Sequence, residues 1–300
     1  MQSGLLLNIG EMFNNLWEAS GLSQGNWQNY VMILISFVLM YLAIVRKFEP
    51  LLLLPIAFGM FIINIPGARE VVWDGTDDAG HFVEGEDRGL LGYLYFGVEK
   101  VIYPPLIFLG IGAMTDFGPL IANPKSMLIG AAAQFGVFFT LFGAVVLGFD
   151  AAAAASIAII GGADGPTAIY LTQALSKFTN EDLLATIAIA AYSYMALIPI
   201  IQRPIMKALT TKKERAIKMK QLRTVTKLEK IIFPLLVTLV VGLLLPDAIP
   251  LLGMLMLGNL MKESGVVDRL SSQAQNGLMN TITIFLGICV GCKAYGEVFL

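Results

Sequence analysis

The sequence predicts an all-α polytopic membrane protein made of inverted-topology repeats with broken, re-entrant helices, the second repeat cut short. Three observations carry this. Of 300 residues, 56% are hydrophobic and 14% charged, with a mean hydropathy of +0.73, more apolar surface than one soluble core of this length can hide. Ten of the twenty basic residues fall in the single stretch 203–230, beside two acids. And in "AAAAASIAIIGGADGPTAIYLTQAL", residues 151–175, one acid and a Gly/Pro cluster interrupt an uncharged run.

A hydrocarbon core of roughly 30 Å takes about 20 apolar helical residues to cross. Segments of that kind lie at about 29–45, 49–67, 91–114, 126–148, 183–201, 231–246, 249–261 and 278–300. Residues 1–28 carry no basic leader and read as an interfacial segment in place of a cleaved signal. The positive-inside rule puts the basic loop 203–230 in the cytoplasm, and Arg46 and Lys47 put the end of the first span there too. The stretch 68–90, acidic and Gly-rich, reads as an outside loop.

Counting crossings from Arg46, Asp150 falls outside, so an ordinary spanning helix at 151–175 would force 203–230 outside as well. The conflict disappears if 151–175 enters the membrane and returns as two half-segments joined at "GGADGP". A miscounted span at 91–114, with Glu99, Lys100 and two prolines, would also restore parity. "EPLLLLPIAFG" (49–59) matches "IPLLGMLMLG" (249–258), and "IFLGIGAM" (107–114) matches "IFLGICVG" (284–291), in the same order. The offsets, about 200 and 177 residues, differ by the length of the acidic loop. Pro50 then opens a span leaving the cytoplasm and Pro250 one returning to it, an inverted repeat whose second half lacks a counterpart of "GGADGP". The domain reading is thus 1–28, a first membrane repeat 29–202, the basic loop, and a partial second repeat 231–300.

At the break, Gly161, Gly162 and Gly165 free the backbone, and Pro166 suits the first turn of a second half-helix opening near Thr167. The unwound carbonyls of Gly162 and Ala163 are free to coordinate a cation, Asp164 supplies the charge, and the Thr167 hydroxyl adds a hard oxygen, a set suited to Na⁺. A carboxylate at mid-membrane is costly and survives by holding a cation or a proton. The competing reading is a surface turn between two helices. Tyr192, Ser193 and Tyr194 either line the same cavity or pack between helices. Asp116 and Asn123 read as caps of a turn.

Several classes fall away. Cys289 and Cys292 form C-x-x-C, but with His81 the one histidine they assemble no four-ligand metal site and read as packing residues. "AIKM" (216–219) is a poor biotin acceptor without a compact domain around it. Phosphate loops and nucleophile–base pairs are lacking, and the segregated charge offers no stripe for nucleic acid.

The motifs "IIGGADGPTAIYL", "GIGAMTDFGPLIANPKSMLIGAAAQFG", "AAYSYMALIPIIQRPIMKALTTKKERAIKM", "KFEPLLLLPI" and "LLLPDAIPLLGMLMLGNLMKESGVV" together resemble the membrane-embedded β subunit of the sodium-pumping, biotin-dependent decarboxylases. The resemblance runs from about residue 29 to the end and is nearest the oxaloacetate decarboxylase branch, with the methylmalonyl-CoA and glutaconyl-CoA decarboxylase subunits as relatives. It implies that carboxybiotin, supplied by a partner, is decarboxylated while Na⁺ is exported and an external proton consumed. It implies as partners a carboxyltransferase and biotin-carrier α subunit, a small γ membrane subunit, lipid and further copies of the chain, in a bacterial inner membrane. The family's key aspartate falls on Asp164 and its tyrosine on Tyr194. Family members continue beyond the equivalent of Leu300 with a second polar motif, absent from this sequence. A different class on the same scaffold, a free-standing Na⁺-coupled carrier, would carry the same ion site, and the basic loop would serve either a docking carrier domain or anionic lipid.

Overall fold

The computed structural model describes residues 12–73 apart from 19, 22 and 24, then 87–179, 183–218 and 223–299. Residues 1–11 of the N-terminal segment, the centre of the acidic loop (74–86) and residues 219–222 of the basic loop lie outside the described residues. All regular structure among the described residues is helical. Three helical stretches, Trp27–Ile44, Pro124–Val146 and Asp268–Cys292, are long and apolar enough to cross a membrane, four if the broken pair Leu90–Glu99 and Tyr103–Met114 is one span. The chain forms two compact units, one of Met1–Phe96 with Phe285–Leu300, the other Gly97–Ile284.

In the first unit, Trp27–Ile44 packs on Pro50–Ile63 through Met32, Ser36 and Ala43, while its other face stays exposed. Pro50–Ile63 in turn meets the last long helix at backbone distance. A Cβ on Gly59 would lie 2.2 Å from the Ile288 carbonyl oxygen, and one on Gly291 2.1 Å from that of Ile56. Small residues at these points replace side-chain burial by close van der Waals contact, the usual device where lipid removes the hydrophobic drive.

The span expected at 278–300 is not one helix. Met279–Cys292 is preceded by a π turn, Ala274–Leu278, and ends before Lys293. Asn64 explains the end. Its amide donates to the Ala294 carbonyl at 2.8 Å, and its side-chain oxygen accepts the Gly296 N–H at 2.9 Å, holding the chain out of helical pairing. The span expected at 91–114 is likewise two helices. Val101 takes a left-handed φ of 57°, Ile102 N–H turns back to Gly97 O, and Pro104 and Pro105 bring no donors with which to bridge the gap.

The second unit centres on Tyr103–Met114 against Ile249–Ser264. Cβ atoms on Gly112 and Gly258 would meet the Leu255 and Leu109 carbonyl oxygens at 1.8 and 2.0 Å. The end of the first of these helices is closed by the second. Asn259 Nδ2 donates to Thr115 O at 3.0 Å, and Lys262 Nζ donates to Met114 O and Thr115 O, both at 3.1 Å. Those carbonyls are the ones a helix C-terminus leaves unpaired, and a cation there is favoured by the dipole. The helix Leu184–Leu209 runs well past residue 201 into the basic segment. The next long helix, Lys227–Leu244, starts at a Thr226–Glu229 capping box.

Candidate functional site

Residues 150–179 form a hairpin of two half-helices. Asp150 caps the first, Ala151–Ala158, its Oδ1 accepting the Ala152 and Ala153 N–H groups at 2.8 Å. The helix tightens to a 3₁₀ turn over Ile159–Gly162 and stops at Ala163, whose φ is 55°. Asp164 is extended at φ −133°, ψ 103° and opens the second half-helix, Gly165–Leu175. Eleven residues are about 16 Å of helix, half of a roughly 30 Å hydrocarbon core. Thr179 Oγ1 then donates to Asp150 Oδ2 at 2.8 Å, so the two ends of the hairpin meet.

Four of the residues selected from sequence meet at this break. Thr167, one turn into the second half-helix, donates its hydroxyl to Asp164 Oδ2. Among the described residues the carbonyls of Gly162 and Ala163 accept no backbone hydrogen bond. The neighbouring Ile160 carbonyl is taken, by Ala163 N–H at 3.1 Å and by the Tyr194 hydroxyl at 2.7 Å. Tyr194 thus anchors the first half-helix, while Tyr192, two residues earlier on the same long helix, brings the hydroxyl end of its ring against Gly165 at the start of the second. A Cβ on Gly165 would sit 2.3 Å from Tyr192 Cζ. The helix Leu184–Leu209 therefore holds both halves of the break. One carboxylate, one hydroxyl and two unspent carbonyls are hard, weakly basic oxygens, fit for an alkali cation; no group of three or more His, Cys, Asp or Glu suited to a metal occurs among the described residues.

The family profile described as the Na⁺-transporting oxaloacetate decarboxylase beta subunit matches residues 28–300. The chain belongs to that family. It is 54% identical over 297 residues to the methylmalonyl-CoA decarboxylase subunit beta of Propionigenium modestum, covering 95% of this chain and 74% of the relative. To the glutaconyl-CoA decarboxylase subunit beta of Acidaminococcus fermentans it is 53% identical, covering 94% and 70%. To the oxaloacetate decarboxylase beta chain of Klebsiella pneumoniae it is 48% identical, covering 97% and 77%. As a member of this family it is a multi-pass membrane subunit of a Na⁺-coupled carboxylic-acid decarboxylase.

Around this β-subunit site the other sequence candidates sort themselves. Cys289 and Cys292 are buried and direct their thiols to the Leu91 and Gly59 carbonyls at 3.7 and 3.6 Å, a packing role. Asp116 makes the expected turn, accepting Gly118 N–H at 2.9 Å, and also receives Lys230 at 3.3 Å. The Gly118 N–H bond, followed by Lys230, holds its carboxyl below the usual carboxylate range. Lys230 also pairs with Glu263 at 3.3 Å, so this cluster ties the turn after Tyr103–Met114 to the helices Lys227–Leu244 and Ile249–Ser264. Farther along, Arg223 meets Glu229 at 2.9 Å, and this bond, followed by those from Thr226, pulls the Glu229 carboxyl down to about 2.

Sequence reasoning missed the wall opposite the break. The span Pro124–Val146 is itself interrupted at Gln134, between Met127–Ala133 and Phe135–Val146. Gly136 there touches Gly161, on which a Cβ would lie 2.8 Å from the Gly136 carbonyl. The signal was present as "AAAQFG", an amide two residues before a glycine in an apolar run. Thr172, buried two turns beyond Asp164, was missed too, and its hydroxyl has no partner among the described residues.

Proposed function

We propose that this chain is the membrane subunit of a primary Na⁺ pump that decarboxylates carboxybiotin, with Asp164 as the alternating ligand of Na⁺ and H⁺. The single observation that carries the reading is the hairpin 150–179, closed at its ends by Asp150 and Thr179 and carrying one carboxylate between those ends, Asp164, at the break. A carboxylate held half a bilayer deep must be compensated by a cation or a proton, and alternation between the two is coupled transport.

In the cycle, Na⁺ from the cytoplasm is held by Asp164, the Thr167 hydroxyl and the carbonyls of Gly162 and Ala163. It leaves outward as a proton from outside takes its place. In carboxybiotin the bond between the ureido nitrogen and the carboxyl carbon breaks, CO₂ departs, and the electron pair left on nitrogen takes that proton. Tyr194 stands by the break as the residue that holds its geometry and faces the incoming group. Moving one charge outward against 100 mV costs about 2.3 kcal/mol, so the proton drawn in from the far side and the decarboxylation must drive the release.

Carboxybiotin arrives on a carboxyltransferase and biotin-carrier subunit that docks at the basic segment 203–230; no biotin is attached to this chain. A small γ subunit, surrounding lipid and further copies of the chain complete the assembly, in the cytoplasmic membrane of a bacterium. The partner selects the upstream acid, proposed as oxaloacetate. Reciprocal glycine contacts, Gly59 on Ile288 and Gly258 on Leu109, support an inverted internal repeat, since Pro50–Ile63 and Ile249–Ser264 are the segments matched by sequence.

The test is ²²Na⁺ uptake into inverted vesicles carrying the whole complex. Uptake is expected to require carboxybiotin formation, and Asp164→Asn to lose both uptake and Na⁺-dependent decarboxylation by at least about a hundredfold, the scale of removing a charged transition-state group. Uptake driven by a pH gradient alone, with no carboxyl donor, would instead mark a free-standing carrier.

A further inference from the structure

Two interrupted helices, not one, meet at the cation site. Between Met127 and Val146 the polar side chains are Gln134 and Thr140. Thr140 spends its hydroxyl on the Gly136 carbonyl at 2.8 Å. Gln134 stands at the interruption itself, and its carboxamide makes no hydrogen bond among the described residues. A carboxamide at this depth in an apolar span is costly unless it faces a polar group or an ion.

Its direction is given by its neighbours. On Phe135–Val146 the less exposed residues Val137, Leu141 and Ala144 form one stripe, and Phe135, Phe138, Phe139 and Phe142 point away from it. Gln134 stands three residues before Val137 and seven before Leu141, and although it is exposed its carboxamide lies on the Gly162 side of the helix. Gln134 Oε1 and Val137 Cγ2 lie 3.6 and 3.7 Å from where a Cβ of Gly162 would stand. One step earlier, Gly136 and Gly161 bring the two backbones into contact. The carboxamide oxygen is thus turned onto the residue just before Ala163 and Asp164, over a glycine that leaves it room.

We propose that Gln134 is a specificity-determining residue for the transported ion, its carboxamide adding a neutral oxygen to the set supplied by Asp164, Thr167 and the open carbonyls. The inference rests on Asp164 being the cation ligand. A neutral oxygen suits a monovalent ion that one carboxylate already balances, and a side chain delivered by a second helix lets motion between the two helices open or close the cage.

The test uses the intact complex in detergent. Asp164 is labelled with a hydrophobic carbodiimide, and protection by Na⁺ and by Li⁺ is read by mass spectrometry on the peptide carrying Asp164. In the unaltered complex, absence of any Na⁺ protection would remove the Asp164 reading itself. Given protection there, Gln134→Met, which keeps length and packing but loses the oxygen, is expected to raise the half-protecting Na⁺ concentration about tenfold and to change the Na⁺/Li⁺ ratio. Gln134→Glu, which keeps an oxygen in place, is expected to protect at wild-type or lower Na⁺. Unaltered protection and ion ratio in Gln134→Met would overturn the assignment. If that variant does not assemble, Gln134→Glu decides: weaker Na⁺ protection than in the unaltered complex would overturn the assignment equally.

Discussion

Asp150 Oδ2 accepts the Thr179 hydroxyl at 2.8 Å, a bond between residues twenty-nine positions apart that brings together the two ends of the hairpin carrying Asp164. The same carboxylate caps the first half-helix through Ala152 and Ala153. One side chain therefore fixes both where the chain enters the hairpin and where it leaves.

This closure has a pH dependence. The Ala153 N–H bond, followed by the Thr179 hydroxyl, holds the Asp150 carboxyl below its ordinary value. A carboxyl depressed in the folded state gives stability that is complete above the unfolded value, near 3.9, and is lost as pH falls through the lower folded value. The hairpin is expected to be indifferent to pH between about 5 and 8 and to loosen only in strong acid. Asp150→Ala should lower the unfolding temperature of the complex at neutral pH, and Thr179→Val should do so less. Equal unfolding temperatures for all three proteins would show that the closure carries no stability.

The hairpin was legible in the sequence because its signal is local. Three glycines, a proline and one acid in an uncharged run specify a break wherever the segment sits, and the basic residues of 203–230 required either that this segment return or that 91–114 be miscounted. The breaks at Val101 and at Lys293–Tyr295 were not legible to the same degree. The second is imposed by Asn64, more than two hundred residues away in sequence, which takes the Ala294 carbonyl and the Gly296 N–H. Gln134 was overlooked for a related reason: one amide in an apolar run says nothing until the Gly161–Gly136 contact places it beside the break.

Tyr194 is expected to act by position. Its hydroxyl bond to the Ile160 carbonyl at 2.7 Å is a neutral one, so Tyr194→Phe should cost about 0.5–1.5 kcal/mol and lower the Na⁺-dependent rate by up to about tenfold. A loss of a thousandfold or more in steady-state decarboxylation would instead make the hydroxyl a participant in proton transfer.

Sidedness follows from the basic segment. A cysteine at Lys213, on the exposed turn Lys212–Arg215, should react with impermeant reagents only from the cytoplasmic side. One at Asp77, in the acidic loop outside the described residues, should react only from the other side. Labelling of both from one side would remove the crossing count on which the returning hairpin rests.

Gly165 gives the sharpest test of how the long helix holds the break. A methyl group there would lie 2.3 to 2.5 Å from two ring carbons and the hydroxyl oxygen of Tyr192, and Tyr192 is itself buried, so the ring has nowhere to retreat. Overpacking of this kind costs about 1–3 kcal/mol. Gly165→Ala should therefore displace the start of the second half-helix, and with it Asp164 and Thr167, and lower Na⁺-dependent decarboxylation about ten- to a hundredfold. Tyr192→Leu alone opens a cavity and should also destabilise the complex. Combined, the two changes exchange ring volume for methyl volume at one point, so the double variant should be less damaged than the sum of the singles, with a coupling of about 0.5–3 kcal/mol in unfolding or rate. Strict additivity would mean that Tyr192 does not bear on Gly165 in the working protein, and that the break is held by Tyr194 and the Gly136–Gly161 contact alone.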